Sequence, residues 1–559
     1  MSKDRWTRRG LLLAAAFALA VTIVPLSPGA SLAQQRDQVV IGAAQEPSCL
    51  ITWFEGCTLA VGAMVMNSVS VGMVDFNDQW RLFPRIAEKI PTLRDGDWQL
   101  LPNNRMRVTW RLKRTYTWHD GRPVTALDVS WTYLMARNPR SPTVSRFVLR
   151  KIENMQVPNP NDPYALVVNW NERYPFANLG HSILPRHRLE RQYLQDPSRL
   201  KAHPEATAPT GNGPYRFVEW VRGSHITLEA YDRFPEGRPQ IRRIVFRWIL
   251  DATVLQANAI AGQVDVTDIN NFDCVQVAEI ERRNPDVAGH YTPALIWEHI
   301  DFNLDNEWLR DVRVRHALAH AINRAQLAEL ACPGGRQPVA HTWLPPRHEA
   351  HNPNVRQYAF DQARARALLA EAGFTPGPDG ILRDRQGRPF SISIMTTAGN
   401  RLREQVQQVM RDQLRQVGVD LRIDNRPAAV LFGQITARRQ FPHLVMYAWV
   451  MSPVTLPAGL WHSSQIPRPE NNWEGQNNPG WRNAENDRLI DQIMGEVDTQ
   501  RRIQLLRRQQ EIWANDLPAI PLFFRLSLTT SRKSLQNVKP AGLSGTYINW
   551  NSHEWSWAR

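Results

Sequence analysis

The chain has 559 residues, of which 43% are hydrophobic and 21% are charged. This composition is typical of a folded globular protein, and the length exceeds what one hydrophobic core usually serves, so we expect two or more lobes. The formal net charge of +14 suggests an acidic ligand, an anionic membrane face or a nucleic acid. No basic run is interleaved with stacking aromatic residues, so we expect no nucleic-acid partner.

The first 33 residues predict an export signal. A basic start precedes the apolar run Leu11–Val24, and small residues lead up to Ala33, so we expect cleavage after Ala33. The Arg8–Arg9 pair resembles a twin-arginine (Tat) signal, and the Sec route stays open. An uncleaved membrane anchor is disfavoured because the run is short and is soon followed by prolines. We therefore expect a periplasmic mature protein.

The four cysteines, Cys49, Cys57, Cys274 and Cys332, all lie in the exported part, where disulfides form. A Cys49–Cys57 bond would close a short loop, but four cysteines allow three pairings and the sequence does not choose among them. None has a C-x-x-C partner, so zinc and redox sites are disfavoured.

In the first half of the chain, a strand, a turn and a helix follow one another. "RMRVTWRLK" (105–113) alternates apolar and basic residues, which predicts a half-buried strand. "DGRP" (120–123) is typical of a turn. Thr125, with Asp128 three residues later, predicts the N-cap of a helix.

In the second half, amphipathic helices alternate with short strands. Asp311 caps one predicted helix, and Asp361 and Gly373 bound another. The helix in "LREQVQQVMRDQLRQVG" (402–418) leads directly into the strand "VDLRI". Such units predict an α/β lobe with a largely parallel sheet.

His119 and Asp120, in "YTWHDGRPVTALDVSW" (116–131), are the first candidates for catalysis. Neighbouring side chains on extended backbone point apart, whereas a base oriented by a carboxylate must face it. The nucleophile elbow of serine hydrolases and the phosphate-binding loop are both absent from the sequence. A secreted hydrolase therefore stays only as a disfavoured alternative.

Two groups of histidines could bind a metal. His316 and His320 lie four apart on a helix, but they project opposite its apolar stripe and lack a third ligand, so we expect a solvated face. His341, His348 and His351 lie in a proline-rich loop, where a transition metal or metal chelate is an alternative to a plain surface loop.

Several segments in one order resemble the extracytoplasmic solute-binding proteins of ABC importers, in the oligopeptide/dipeptide/nickel-binding family (family 5). They include "VTWRLKRTYTWHDGRPVTALDVSWTY" (108–133), "PTGNGPYRFVEW" (209–220) and "HIDFNLDNEWLRDVRVRHALAHAINR" (299–324). The series spans almost the whole mature chain, which makes the resemblance specific.

The resemblance implies the α/β two-lobe periplasmic-binding-protein fold of class II, with an extra subdomain in lobe 1. We expect a signal peptide at 1–33, lobe 1 at 34–295 with the subdomain at about 80–205, lobe 2 at 296–519, and a C-terminal return to lobe 1 at 520–559. Hinge closure would trap the ligand between the lobes, because the ligand touches both lobes only in the closed form.

The ligand site is where the sequence departs from the family. Peptide-binding members place an Asp after a Trp, roughly W-x-x-D, to pair with the peptide's amino group. In "YAWVMSPVTLP" (447–457) Trp449 is present, but Ser452 occupies the position of the acid. A hydroxyl cannot neutralise an ammonium in a desolvated crevice, so an ordinary peptide N-terminus is a less favoured ligand.

We expect eight ligand-binding residues: Tyr447, Trp449, Met451, Ser452, Gln45, Glu46, Trp297 and Asn303. The resemblance implies a non-enzymatic, monomeric subunit that delivers a peptide or another medium-sized organic solute to a membrane permease. It implies no cofactor, no resident metal and no nucleic acid. Capture of a metal chelate, as by nickel-binding relatives, is the main alternative.

Overall fold

The computed structural model describes residues 37–558 apart from 56, 58, 147, 268–270, 472 and 543–545. The predicted signal peptide lies outside the described residues. Within the part of the chain that the structure describes, no helix has the length and apolar character needed to cross a membrane.

The described residues form twenty β-strands, which range from two residues to sixteen. In chain order they are β1 (Gln38–Ala43), β2 (Val74–Phe76), β3 (Leu82–Pro84), β4 (Trp98–Leu100), β5 (Met106–Arg111), β6 (Ile152–Gln156), β7 (Ala165–Trp170), β8 (Tyr215–Val221), β9 (His225–Ala230), β10 (Arg243–Trp248), β11 (Val266–Thr267), β12 (Val287–Phe302), β13 (Thr375–Pro376), β14 (Leu382–Arg383), β15 (Ser391–Met395), β16 (Asp420–Ile423), β17 (Leu444–Val450), β18 (Ala519–Arg532), β19 (Leu535–Gln536) and β20 (Ser556–Trp557).

Thirteen α-helices accompany these strands in the described residues. They are α1 (Ala60–Val69), α2 (Ala126–Arg137), α3 (Arg186–Gln195), α4 (Ala252–Ala261), α5 (Cys274–Arg283), α6 (Val312–Ala321), α7 (Arg324–Ala331), α8 (Gln362–Glu371), α9 (Arg401–Arg415), α10 (Ala428–Val430), α11 (Ala458–Trp461), α12 (Ala484–Gly495) and α13 (Thr499–Asp516).

One ten-stranded sheet runs through both lobes, in the order β16-β15-β17-β12-β18-β11-β1-β10-β9-β8. Its central pair, β12 and β18, consists of long antiparallel strands that pass from one lobe to the other. Their pairing shifts register between Pro293 and Trp297 and again between Glu298 and His299. Register shifts bend and twist a strand pair, so the bend in the pair lies where the chain crosses between the lobes.

Separate hydrophobic cores flank the crossing strands, as a two-lobe fold requires. The first-lobe core joins β1 and β10 to α1 and to the C-terminal segment around Tyr547 and Trp555. The second-lobe core joins the far end of β12 to β15, β17 and helices α6 to α9. The C-terminal part of the chain thus returns to the first core.

A four-stranded antiparallel sheet, β4-β5-β7-β6, forms the extra subdomain with α2. On β5, Met106, Val108 and Trp110 are buried while Arg107 and Arg111 are exposed, which confirms the predicted half-buried strand. Thr125 and Asp128 form a capping box at the start of α2, which confirms the predicted N-cap. Asp311 and Asp361 likewise cap α6 and α8.

The His-Asp-Gly turn and the glycine-rich segment after residue 209 hold each other in place. The main-chain amide of His119 donates to the carbonyl of Gly211 at 2.8 Å, and the Gly211 amide donates to His119 Nδ1 at 3.2 Å. His119 Nε2 donates to the carbonyl of Gly213 at 3.1 Å. A Cβ on Gly211 would stand 1.9 Å from the carbonyl oxygen of Val69, so only glycine fits this crossing.

All four cysteines are paired, as Cys49–Cys57 and Cys274–Cys332. The first pair closes the short loop after β1. The second joins α5, which packs in a core with Leu255 and Val264 of the first lobe, to the end of α7, whose other residues pack in the second-lobe core. The Cys274–Cys332 bond therefore links the two lobes beside the crossing strands.

Candidate functional site

The register of the sheet brings the carboxyl ends of two sets of parallel strands face to face. In the second lobe β15 runs parallel to β16 and β17, and Val450 at the end of β17 pairs with Ile296 in the middle of β12. In the first lobe β1 runs parallel to β10 and β11. Strand β18 runs from the second lobe to the first. Because β11 is antiparallel to β18, the carboxyl end of β11 faces the second lobe. Ligands bind outside the carboxyl ends of parallel strands, so the candidate crevice lies between these two edges.

Aromatic rings line one face of β12 and β17 at this edge. Trp297 and Trp449 are opposite each other in the ladder, and the Trp449 ring lies 5.6 Å from that of Tyr447. Trp297 is 0% exposed, stacks on His299 at 4.1 Å and packs against Trp461. Trp449 is partly exposed. Of the two predicted tryptophans, Trp449 thus reaches the crevice and Trp297 lies in the core behind it.

Tyr447 is part of a buried polar network. Its hydroxyl donates to Asp301 Oδ2 at 2.5 Å and accepts from Asn478 Nδ2 at 2.7 Å. His299 Nε2 lies 3.3 Å from the other oxygen of Asp301. Burial, and then the Asp301 carboxylate, raise the pKa of Tyr447 well above its ordinary value. Tyr447 therefore stays neutral, and its buried ring packs against the ring of Trp449.

Met451 and Ser452 begin the loop that leaves β17. The Met451 amide donates to the carbonyl of Leu295 at 2.7 Å, and its side chain is buried. The Ser452 amide donates to Thr455 Oγ1 at 2.8 Å, and the Thr455 amide donates to the Ser452 carbonyl. Ser452 thus closes a tight turn at the crevice, and its partly exposed side chain carries no charge.

The other three predicted residues, Gln45, Glu46 and Asn303, lie on other elements than the β17 end that carries Trp449. Gln45 is exposed just beyond β1. Both oxygens of Glu46 accept hydrogen bonds from the β8–β9 hairpin, through Trp220 Nε1 of β8 at 2.9 Å and the amide of Gly223 in the turn at 3.1 Å. Asn303 donates to the carbonyl of Phe441 at the far end of β12, six extended residues or roughly 20 Å from Trp297. Glu46 and Asn303 thus hold turns together.

An ion triad on the opposite face of β12 was not predicted from the sequence. Glu298 is 1% exposed and accepts from Arg403 Nε at 2.6 Å and from Arg525 Nε at 2.8 Å. Burial alone would raise the pKa of Glu298, but Arg525 and Arg403 together hold it below its ordinary value. Two guanidinium groups against one carboxylate leave a net positive charge, and Arg525 is partly exposed. The carboxylate of Glu298 among the apolar and aromatic residues of β12 was the available signal.

Trp80, at the tip of the β2–β3 hairpin, was also missed. It packs in the same cluster as Met451 and Trp297, and its Nε1 donates to the carbonyl of Ala541 at 2.7 Å. The Arg347 guanidinium, from the second lobe, lies 5.0 Å from the Trp80 ring and donates to the carbonyl of Asp78. Trp80 thus connects the lobes at one side of the crevice.

Exposed apolar side chains stand at both edges of the crevice. Val450, at the carboxyl end of β17, is 61% exposed, and Leu250, two residues beyond β10, is 70% exposed. The candidate crevice therefore has exposed apolar groups at both edges, and the Glu298 triad, with two arginines to one carboxylate, adds positive charge.

The comparisons with known proteins agree with this geometry. A model of the bacterial extracellular solute-binding proteins, family 5, matches residues 90–466. The chain belongs to this family. It is therefore an extracytoplasmic solute-binding protein of the ABC-importer type, and the two-lobe fold is confirmed.

The relatives extend over almost the whole chain. The oligopeptide-binding protein of Thermus thermophilus, solved with a pentapeptide, is 31% identical with a TM-score of 0.69, and the match covers 93% of this chain and 96% of that one. The oligopeptide-binding protein AppA of Bacillus subtilis is 26% identical over 523 residues, 90% of this chain and 89% of its own. A substrate-binding protein of Listeria monocytogenes, 17% identical with a TM-score of 0.77, covers 94% of this chain and 100% of its own and shares the fold.

Of the three loop histidines considered for metal binding, His348 and His351 are hydrogen-bonded within the protein, whereas Nδ1 of His341 is buried with no hydrogen-bond partner among the described residues. His348 Nε2 donates to the carbonyl of Pro453 and its Nδ1 accepts from the Ala350 amide. His351 Nδ1 donates to the carbonyl of Leu344. The expected solvated face of α6 is wrong for His316, which is buried and donates to the carbonyl of Asn515. Among residues 37–558 as described, no three His, Cys, Asp or Glu side chains form a metal-binding group.

His119 and Asp120 do point apart, as extended backbone requires. His119 bonds to the glycine-rich segment, while Asp120 Oδ2 accepts from His187 Nε2 at 2.6 Å. Burial lowers the pKa of His119 to about 4, so the ring is neutral with both nitrogens engaged. His119 and Asp120 thus connect the turn to the glycine-rich segment and to α3 within the first lobe.

Proposed function

We propose that this chain captures a peptide or another medium-sized organic solute between its lobes and delivers it to a membrane permease, without chemical turnover. The observation that carries the proposal is the pair of crossing strands, which sets the carboxyl ends of the parallel strands of both lobes against one crevice. Ligand contacts made to both lobes at once favour the closed form.

The boundaries that we propose are lobe 1 at 34–295, lobe 2 at 296–519 and the return at 520–559. The first boundary falls inside β12 and the second at the start of β18, the two long strands that connect the lobes. We further propose export by the Tat or Sec route, cleavage after Ala33, and a monomeric mature protein.

Within the crevice we propose Trp449, Ser452 and Gln45 as direct ligand contacts. Trp449 supplies an aromatic surface, and Ser452 and Gln45 supply neutral hydrogen-bonding groups. Met451, Tyr447 and Trp297 would support this wall from inside the second lobe.

The charges at the crevice favour a solute that presents a carboxylate rather than a free amino group. Ser452 offers no negative charge, and both oxygens of Glu298 are already taken by Arg403 and Arg525. A desolvated ammonium would lack a counter-ion there, whereas a carboxylate would meet the remaining positive charge. Acylated peptides, acidic peptides and other organic acids fit this pattern.

The test is thermal stabilisation of the purified mature protein by defined pools of peptides, with free or acetylated N-termini, and of organic acids. A ligand that binds only the folded state at 100 times its Kd adds about 2.7 kcal/mol to the free energy of unfolding. We expect acetylated peptides or organic acids to shift the melting temperature more than free-amine peptides. Absence of a shift with every pool would refute the proposed function.

Matched variants sharpen the test. Trp449→Ala should abolish the shift, whereas Trp308→Ala, at the opposite end of β17 where Trp308 stacks on His443, should keep it. Ser452→Asp should strengthen the binding of free-amine peptides by tenfold or more, the equivalent of about 1.4 kcal/mol. An unchanged preference in Ser452→Asp would show that position 452 does not contact the ligand's amino end.

A further inference from the structure

Arg525 lies where the buried strand β18 opens to solvent between the two lobes. Within β18, the residues on either side of the partly exposed pair Arg525 and Leu526 are buried. Phe524 packs in the second-lobe cluster that contains Trp297, whereas Leu526 packs against the first-lobe core around Leu255. The Arg525 side chain therefore stands at the point where one core ends and the other begins.

A shift in strand register sets the position of this side chain. Phe524 and Leu526 pair with β12 residues that are four positions apart, so Arg525 alone stands opposite residues 294–296. Irregularities of this kind bend a strand pair and re-aim side chains next to functional sites. On the other side of β12, Val450 at the carboxyl end of β17 pairs within the same stretch. Arg525 thus lies two strand spacings, roughly 10 Å, from the β17 edge of the crevice.

Glu298 occupies only one edge of the Arg525 guanidinium. Oε2 of Glu298 accepts from Arg525 Nε at 2.8 Å and lies 2.5 Å from Nη2. Among the described residues, Nη1 of Arg525 has no hydrogen-bond partner. A guanidinium carries five N–H donors in a planar fork and can hold a carboxylate with two of them side by side. Nη1 and the outer N–H of Nη2 form a second edge that remains for another acceptor.

Arg403, the other guanidinium of the triad, is engaged inside the second lobe. Its Nε donates to Glu298 Oε1 at 2.6 Å, and its Nη1 donates to Thr397 Oγ1 at 3.2 Å. The Arg403 side chain is 10% exposed, against 32% for that of Arg525. Two guanidinium groups share the single carboxylate of Glu298, so the triad carries an excess positive charge. Arg525 presents that charge to solvent.

The geometry points to Arg525 as the residue that binds a carboxylate of the captured solute, through Nη1 and Nη2, at the floor of the crevice. This inference rests on the proposed function, because the solute meets Arg525 between the lobes. The solute's carboxylate completes a cluster of two guanidinium groups and two carboxylates, in which every charge has a counter-ion. The primary amide of the same solute leaves the positive charge desolvated and uncompensated, so acids should bind more tightly than amides.

The experiment uses the full mature protein and two pools of probes, acetylated peptides without Asp or Glu and small organic acids. Each pool is prepared as free carboxylic acids and as the corresponding primary amides. Thermal stabilisation selects the member of each pool that binds best, and calorimetry then measures its Kd in both forms. The readout is the ratio of the amide Kd to the acid Kd, because a purely structural role of Arg525 would weaken both forms equally.

Four variants separate direct contact from charge and from folding. Arg525→Gln removes the guanidinium, and Arg525→Lys keeps the charge but loses the planar fork. Arg403→Gln removes the same charge from the buried side of the triad. Arg422→Gln is the distant control, because Arg422 lies on β16, is 72% exposed and is paired with Asp420.

We expect the wild type to bind acids more tightly than amides by about tenfold or more. Arg525→Gln should abolish this preference and Arg525→Lys should reduce it. Arg403→Gln should keep more of it than Arg525→Gln, since Arg525 then retains its second edge, and Arg422→Gln should leave it unchanged. Arg525→Lys carries the test if Arg525→Gln fails to fold, as judged by its melting transition.

Three results would overturn the inference. The wild type binds acids and amides equally, or the preference persists undiminished in the Arg525 variants, or Arg403→Gln loses it as completely as Arg525→Gln. The last result would show that the net charge of the triad acts without contact to Arg525. In all three cases a solute still binds, so the proposed function stands. If neither pool stabilises the wild type in either form, the proposed function itself fails and the role of Arg525 fails with it.

Discussion

The Cys274–Cys332 disulfide links the two lobes, and its removal tests how the hinge is restrained. The bond joins residues 58 apart in sequence, whereas Cys49–Cys57 joins residues only 8 apart within the first lobe. A cross-link stabilises a fold by restricting the unfolded chain, more so for longer loops. The chain-entropy relation gives about 4 kcal/mol for the longer loop and about 2.5 kcal/mol for the shorter one.

The assay is urea unfolding of the double variants Cys274→Ser/Cys332→Ser and Cys49→Ser/Cys57→Ser, followed by tryptophan fluorescence. We expect the first variant to lose more unfolding free energy than the second, by about 1–2 kcal/mol. Small-angle scattering of the ligand-free protein gives the second readout, because of the two disulfides only Cys274–Cys332 connects the lobes. The radius of gyration should increase in the first variant and stay constant in the second.

Two results would refute this reasoning. Equal losses of stability would show that loop length does not control the effect. An unchanged radius of gyration in the Cys274→Ser/Cys332→Ser variant would show that the packing of α5 and α7 on the crossing strands restrains the lobes without the disulfide.

Three further substitutions test single features of the fold. Glu298→Gln should cost about 3–5 kcal/mol, because it leaves Arg403 and Arg525 without their counter-ion, and Glu298→Gln with Arg403→Met should recover part of that loss in the same urea titration. The pKa of His119 is about 4 in the folded state and near 6.5 in the unfolded state, so between these pH values only the unfolded state binds the proton and the free energy of unfolding decreases as pH falls, by up to about 3 kcal/mol. His119→Gln should therefore make the stability depend less on pH in this range. A pH profile identical to that of the wild type would contradict this. Gly211→Ala should destabilise the fold by about 1–3 kcal/mol or more, since its Cβ would overlap the Val69 carbonyl, whereas Gly433→Ala, with open space around it, should change the melting temperature little.

Local patterns predicted the elements of the fold well because local physics determines them. The alternation around Val108, the capping box of Thr125 and Asp128, and the Asp311 cap each depend on residues a few positions apart. The divergence of His119 and Asp120 also follows from extended backbone.

Features that depend on distant contacts could not be read from those patterns. The Glu298 triad joins residues more than 100 positions apart, and the carboxylate meets its two guanidinium groups only in the folded sheet. His316 was expected to face solvent, yet the chain around Asn515 covers it. The roles of Trp297 and Trp449 in the same ladder differ because neighbouring elements cover one ring fully and the other only partly.

The most direct test of the central claim is native mass spectrometry of the protein isolated gently from the periplasm, compared with the same protein after unfolding and refolding. We predict a non-covalent adduct with the mass of a peptide or another medium-sized organic solute, absent after refolding and absent from Trp449→Ala. Adduct-free protein that also shows no decrease in its radius of gyration with any acetylated peptide or organic-acid pool would contradict capture between closing lobes.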